Sequence, residues 1–249
     1  MNNAIGFLDS GIGGINVLKE FRKMLPFENY IYYGDSKNNP YGDLSYEELY
    51  NKVEQGILFL LSKNCKAIVV ACTTASTKIL DKLKKKYQKV IFIGTYPSLS
   101  LAITLNKNNE KILLMATEGT IKSDYIQKKK KENKNLLLLP CSGLADIIEN
   151  NKEALIVNYL DEKLLKYKDE NISSVVLGCT HYPFIKDLIK SYFKNANILY
   201  EYDEMVKELI NILSSNNLLN NKKIEGKVTF YNSLSEEKAK LCEYIFNKM

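Results

Sequence analysis

The chain has 249 residues, 45% of them apolar, and its 35 Lys+Arg against 29 Asp+Glu leave a net charge of +6. That is enough for one large core or two of about 100–125 residues each, and it excludes wholesale disorder. No apolar run reaches the roughly 18 residues of a membrane span. The opening MNNAIGFLDS has no basic region ahead of an apolar stretch, so no secretory signal is expected and the chain is placed in the cytoplasm.

In chain order, short apolar runs rich in β-branched residues alternate with longer amphipathic stretches. Strand patterns occur at 4–8 and 30–34, with a helix at 14–24 that ends near Pro26. A helix at 45–62 opens on Ser45 and Glu48, the S-x-x-E capping box, and then repeats Leu49, Val53, Ile57 and Leu60 at helical spacing. Strands are expected at 67–71 and 90–94, with helices at 74–87 and 99–105. Next come strands at 111–116, 136–140 and 174–178, and helices at 121–131, 144–149, 153–167 and 183–193. A strand at 198–200, a helix at 204–213, a strand at 228–231 and a helix at 235–247 close the chain. This alternation predicts an α/β protein with parallel sheets covered on both faces. Ligands in such sheets bind beyond the carboxyl ends of the strands.

The residues after the strands therefore carry the functional reading. The first strand is followed by Asp9-Ser10-Gly11-Ile12-Gly13-Gly14. This is not the dinucleotide fingerprint, since position 16 is Asn16, and it is not a P-loop. It is a tight turn into a helix N-terminus, which suits either an anion or a purely structural role. The lysine runs 84–86 and 128–131 read as solvated helix faces, because no aromatic residues interleave with them as nucleic-acid stacking needs. No nucleic acid partner and no membrane is expected.

The only histidine is His181, which excludes zinc sites built on two or three histidines. None of the five cysteines forms a CxxC pair. Two of them stand in matching settings. Ile68-Val69-Val70-Ala71-Cys72-Thr73-Thr74 parallels Val175-Val176-Leu177-Gly178-Cys179-Thr180-His181: an apolar strand, a small residue, then Cys-Thr opening a helix. A thiol at a helix N-terminus is expected to have a lowered pKa. Cys65, Cys141 and Cys242 lack this context and read as structural. Three chemistries suit the pair: a redox disulfide, a Cys179–His181 nucleophile, or a two-base proton transfer across one carbon. The second is geometrically poor if both residues lie on a helix, since i and i+2 do not face each other. The third needs two similar halves facing each other, and no metal or cofactor.

The segments FLDSGIGGINVLKEFRKMLP, YYGDSKNNPYG, VVACTTAS, ATEGTIKS, VLGCTHYPF and FYNSLSEEK, in this order, resemble the aspartate/glutamate racemase superfamily, its glutamate racemase branch most of all. The resemblance runs nearly end to end. It implies two similar α/β domains with mainly parallel sheets and the active site in the cleft between them, at 1–95 plus 205–249 and at 96–204. It also implies a homodimer acting without a cofactor on a free acidic amino acid, glutamate, and supplying D-glutamate for peptidoglycan. Cys72 and Cys179 match the two catalytic thiols, and Asp9 and His181 the groups that assist them. Ser10, Pro40, Tyr41, Gly42, Thr73, Thr74, Thr120 and Thr180 match positions around the substrate. Three departures stand out: Thr73 where the family usually has Asn, Tyr96-Pro97 for Glu-Pro, and Glu201-Tyr202 for Asp-Ser. They leave room for an aspartate or broader acidic amino-acid racemase, or a non-catalytic amino-acid-binding paralogue. A single-cysteine decarboxylase relative is disfavoured because both thiols are present.

Overall fold

The computed structural model describes residues 3–106 and 110–249. Among the described residues, nine strands form two sheets in which every pairing is parallel. The first holds β1 (Ile5–Asp9), β2 (Tyr30–Gly34), β3 (Ala67–Val70), β4 (Ile91–Gly94) and β9 (Val228–Asn232), in the order β4-β3-β1-β2-β9. The second holds β5 (Lys111–Ala116), β6 (Leu136–Pro140), β7 (Ile172–Gly178) and β8 (Asn197–Leu199), in the order β6-β5-β7-β8.

Helices cover both faces, as the continuous apolar strands require. On one face of the first sheet, Ile5 and Phe7 pack on Ile15, Leu18 and Phe21 of α1 (Ile15–Met24). Leu209 of α11 (Asp203–Ser215) and Phe246 of α12 (Glu236–Lys248) join the same core. The other face packs Leu8, Ile68 and Val70 on Val53 and Ile57 of α2 (Tyr46–Ser62). The capping box forms: Ser45 Oγ accepts from the Glu48 N–H, and Glu48 Oε2 accepts from the Ser45 N–H. The second sheet has its own two cores. One is built on Leu113, Met115 and Val175, the other on Leu114 and Val176. After β8 the chain returns to the first sheet, where α11, β9 and α12 all pack.

Four expected helices are broken. The 74–87 stretch divides at Ile79 into α3 (Thr73–Lys78) and α4 (Leu80–Lys86). Thr77 Oγ1 bonds back to the Thr73 carbonyl at 2.9 Å, a contact that bends helices. The 121–131 stretch divides into α6 (Glu118–Ile121) and α7 (Asp124–Glu132), because Thr117 and Ser123 each cap a new helix. The 153–167 stretch ends as α9 (Glu153–Leu164) and a 3-10 turn. The 183–193 stretch is a 3-10 turn at Tyr182–Ile185 and then α10 (Lys186–Tyr192). The lysine runs sit on the last turns of α4 and α7, where cations complement the helix dipole. Among the described residues, no helix is long and apolar enough to cross a membrane.

Candidate active site

The carboxyl ends of the two sheets meet at one small cavity. Cys72 follows β3 and Cys179 follows β7, and both line it. Ser10, Pro40, Tyr41, Gly42, Thr73, Thr74, Thr180 and His181 complete the set of predicted residues on its wall. Asp9 and Thr120 stand just behind it. Thr180 Oγ1 donates to Asp9 Oδ2 at 3.2 Å, and the Gly11 N–H donates to Asp9 Oδ1 at 3.0 Å. The hydroxyls of Thr74, Thr117 and Thr120 touch one another at 2.8–3.2 Å, joining α3 to the cap of α6. Of the family departures, only Thr73 reaches the cavity. Tyr96 packs on Tyr125 with ring centroids 4.9 Å apart, and Tyr202 is buried in the core beside α1 and α11.

The glycine turn is an anion site, and its anions are the protein's own. The Ile12 N–H donates to Glu149 Oε2 at 3.0 Å. Glu149 ends α8 (Leu144–Glu149), crosses to the first sheet's loop, and accepts from Ser36 Oγ at 3.2 Å. Its Oε2 also lies 2.7 Å from His181 Nε2, while His181 Nδ1 faces Cys179 Sγ at 3.8 Å. The glycines make this approach feasible. A Cβ on Gly13 would lie 2.6 Å from His181 Nδ1, and one on Gly11 would lie 2.8 Å from Glu149 Cδ.

The Cys179–His181 contact corrects the sequence expectation. Those residues do not open a helix; they occupy a bend and turn before the short 3-10 segment, so i and i+2 can meet. The helix-dipole argument consequently fails at Cys179. At Cys72 the geometry is as expected, since Cys72 is the N-cap of α3, but the electrostatic outcome is reversed. Burial pushes the Cys72 thiol up to about 12, with the Asp9 charge adding to the rise. The N–H groups of Ala75 and Thr74 pull it down and are outweighed.

Around His181 the balance runs the other way. Burial opposes a charged ring, but hydrogen bonds to Cys179 and Glu149 and the Asp9 charge outweigh it. The pKa is held well above 6.5. Burial likewise pushes Glu149 up, yet the His181 bond and charge and the Ile12 N–H bring it below 4.5. Burial raises the Asp9 carboxyl despite the opposing His181 charge and the Gly11 and Gly14 N–H groups. The cleft thus holds a protonated thiol on one side and a thiol facing a charged imidazole on the other.

Sequence reasoning did not single out Glu149, Thr117 or Asn39, which the structure brings to the site. Glu149 did leave one signal: a carboxylate at a helix C-terminus opposes the dipole and needs a tertiary partner. Asn16, noted only for breaking the dinucleotide pattern, clasps the two halves by donating from Nδ2 to the Thr180 carbonyl at 3.0 Å.

Two parallel sheets, each presenting one thiol to a shared cavity, define a two-lobed α/β architecture with its site between the sheets. A model of the Asp/Glu/Hydantoin racemase family matches residues 35–199, and the chain belongs to that family. Among its relatives, the glutamate racemase of Clostridium acetobutylicum is 41% identical over 242 residues, covering 95% of this chain and 94% of that protein. The crystal structure of glutamate racemase isoform RacE1 from Bacillus anthracis superposes with a TM-score of 0.84 at 32% identity, over 99% of this chain and 93% of that one. The glutamate racemase of Francisella tularensis, solved in complex with D-glutamate, gives 0.83 at 29% identity, over 100% and 94%.

Proposed function

We propose that the chain interconverts L- and D-glutamate by a two-base proton transfer between Cys72 and Cys179. One observation carries this reading: thiols from two different sheets line the same cavity. A thiolate on one face removes the α-proton while the opposing thiol delivers its own proton to the other face. The reverse direction exchanges the roles. Cys72, which keeps its proton in the closed cleft, starts as the acid. Cys179 is the opposing thiol, and it faces His181, which Glu149 backs. Asp9 orients the Thr180 turn beside Cys179. Backbone N–H groups and the Ser10, Thr73 and Thr74 hydroxyls hold the carboxylates and stabilise the carbanion-like transition state. The steps require neither metal nor cofactor.

The cavity measures about 10 Å³, space for roughly one water molecule. A glutamate enters only if the halves part, so the two units we assign, 1–95 with 205–249 and 96–204, separate and reclose around it. Closure then expels water and strengthens each polar contact. The D-glutamate formed would serve peptidoglycan synthesis in the cytoplasm, and we assign a homodimer, both on family resemblance. Aspartate is the second substrate to test, because Thr73 offers the cavity one hydroxyl in place of an amide.

Each pure enantiomer of glutamate and aspartate, incubated in D2O, tests the proposal. Racemised glutamate should carry deuterium at Cα. Cys72→Ala and Cys179→Ala should each abolish racemisation. Full activity in both variants, or activity that requires added pyridoxal phosphate, would refute the two-thiol mechanism.

A further inference from the structure

Glutamate passes into a cavity of about 10 Å³ only when the lobes part, and parting breaks hydrogen bonds that join them. Three of these bonds involve side chains already given a part in the site: Thr180 to Asp9, Ile12 to Glu149, and Thr74 to Thr117. A fourth, from Asn16, stands apart. Asn16 is buried in the first turn of α1, whose N-terminus has no side-chain cap. Its Nδ2 donates to the Gly13 carbonyl at 3.3 Å, in its own loop, and to the Thr180 carbonyl at 3.0 Å, in the other lobe. The two acceptors use both hydrogens of the amide and fix its orientation.

The turn that Asn16 holds is a partition between two spaces. On one side Thr180 and His181 line the catalytic cavity. On the other, Asn16 shares the wall of a groove of about 900 Å³ with Pro183 and Phe184. Asn16 therefore grips the turn that follows Cys179 from behind, without forming any of the cavity's surface. Water from the groove can take up the amide and the carbonyl once they separate, so the bond has only the modest net worth of a neutral hydrogen bond. Resting on the glutamate racemase reading, we propose that Asn16 is a positioning residue that latches the closed cleft: its amide leaves the Thr180 carbonyl before substrate or product can pass. The bond belongs to the closed form with or without substrate. The latch accordingly sets the rates of entry and release and leaves the affinity alone.

Asn16→Ala removes the latch and puts a good helix former in its place. The readout is alkylation of Cys72 and Cys179 by iodoacetamide without substrate, followed peptide by peptide by mass spectrometry. Both thiols are buried in the closed form and react through its opening. Asn16→Ala should raise both rates about two- to tenfold, the net worth of one hydrogen bond. Their dependence on urea should stay well below that of complete unfolding, because only the lobes part. D-glutamate should protect Cys72 with the same half-effective concentration in both proteins, within about twofold. Unchanged labelling in a variant whose melting temperature has fallen would mean that the bond survives opening, and overturns the proposal. A weakened glutamate affinity also overturns it, since Asn16 would then shape the bound site. If Asn16→Ala does not fold, the same measurements on Asn16→Ser decide. The labelling needs no turnover. If D-glutamate fails to protect Cys72 in the unsubstituted protein, the glutamate reading fails instead, and that result is distinct.

Discussion

Replacing Glu149 by Gln removes one charge and little volume, and it probes the pair that only the tertiary structure reveals. Glu149 and His181 are both buried, with Oε2 and Nε2 2.7 Å apart. Unit charges about 4 Å apart attract by about 4 kcal/mol at an effective dielectric of about 20. Breaking a buried pair costs about 3–5 kcal/mol. The neutral amide of the Glu149→Gln variant leaves the imidazole free to shed its proton, so the low end applies, about 3 kcal/mol. For a chain of this size that lowers Tm by about 6–12 °C. The pH dependence has a definite sign. Glu149, held below its ordinary 4.5, contributes stability that is present above 4.5 and lost as pH falls through its folded value. His181, held above 6.5, contributes stability that is complete below 6.5 and lost as pH rises through its folded value. The Tm deficit of Glu149→Gln should therefore be greatest between about pH 4.5 and 6.5. Racemisation, followed by circular dichroism, should slow about a hundredfold. Its alkaline limb should move to lower pH, since the imidazole loses its anionic partner. An unchanged rate and an unshifted limb would refute the reasoning.

Two further substitutions separate the site from the scaffold. Gly11→Ala places a methyl group against the Glu149 carboxylate. It should cost about 1–3 kcal/mol in denaturant unfolding and shift the pH–rate profile in the same direction as Glu149→Gln. Glu28→Ala strands the buried Lys66, whose Nζ lies 2.6 Å from Glu28 Oε2 and 2.6 Å from the Leu218 carbonyl. Unfolding should be easier by about 3–5 kcal/mol, read by calorimetry, while kcat/KM below the melting transition stays unchanged.

Much of the fold was legible because its signals are local. The capping box at Ser45 and Glu48 forms as written, and the strand at Tyr30–Gly34 has the bounds that its composition suggests. Boundaries failed where side chains outcompeted the helical pattern, as at Thr77, whose hydroxyl bonds back to Thr73. The twelve cleft residues were implied by the family resemblance, and ten of them lie on the cavity wall, beyond the strand ends where parallel sheets place ligands. Glu149 was not legible, since its partner Ile12 lies 137 positions away and no short motif encodes that meeting.

By itself, the order of residues settled where the strands lie and that helices alternate with them, that the sheets are parallel-type, and that two cysteines stand at equivalent strand ends. Periodicity, caps and strand-end chemistry are written within a few residues of one another. Only the tertiary structure decided the electrostatics. Cys72 sits at a helix start that favours a thiolate, yet burial between the two sheets keeps its proton on. Cys179 and His181 meet because a turn replaces the expected helix, and Glu149 arrives from the far end of α8 to hold the ring charged. Desolvation and long-range pairing depend on what the whole chain packs around a group, and no local pattern carries that information.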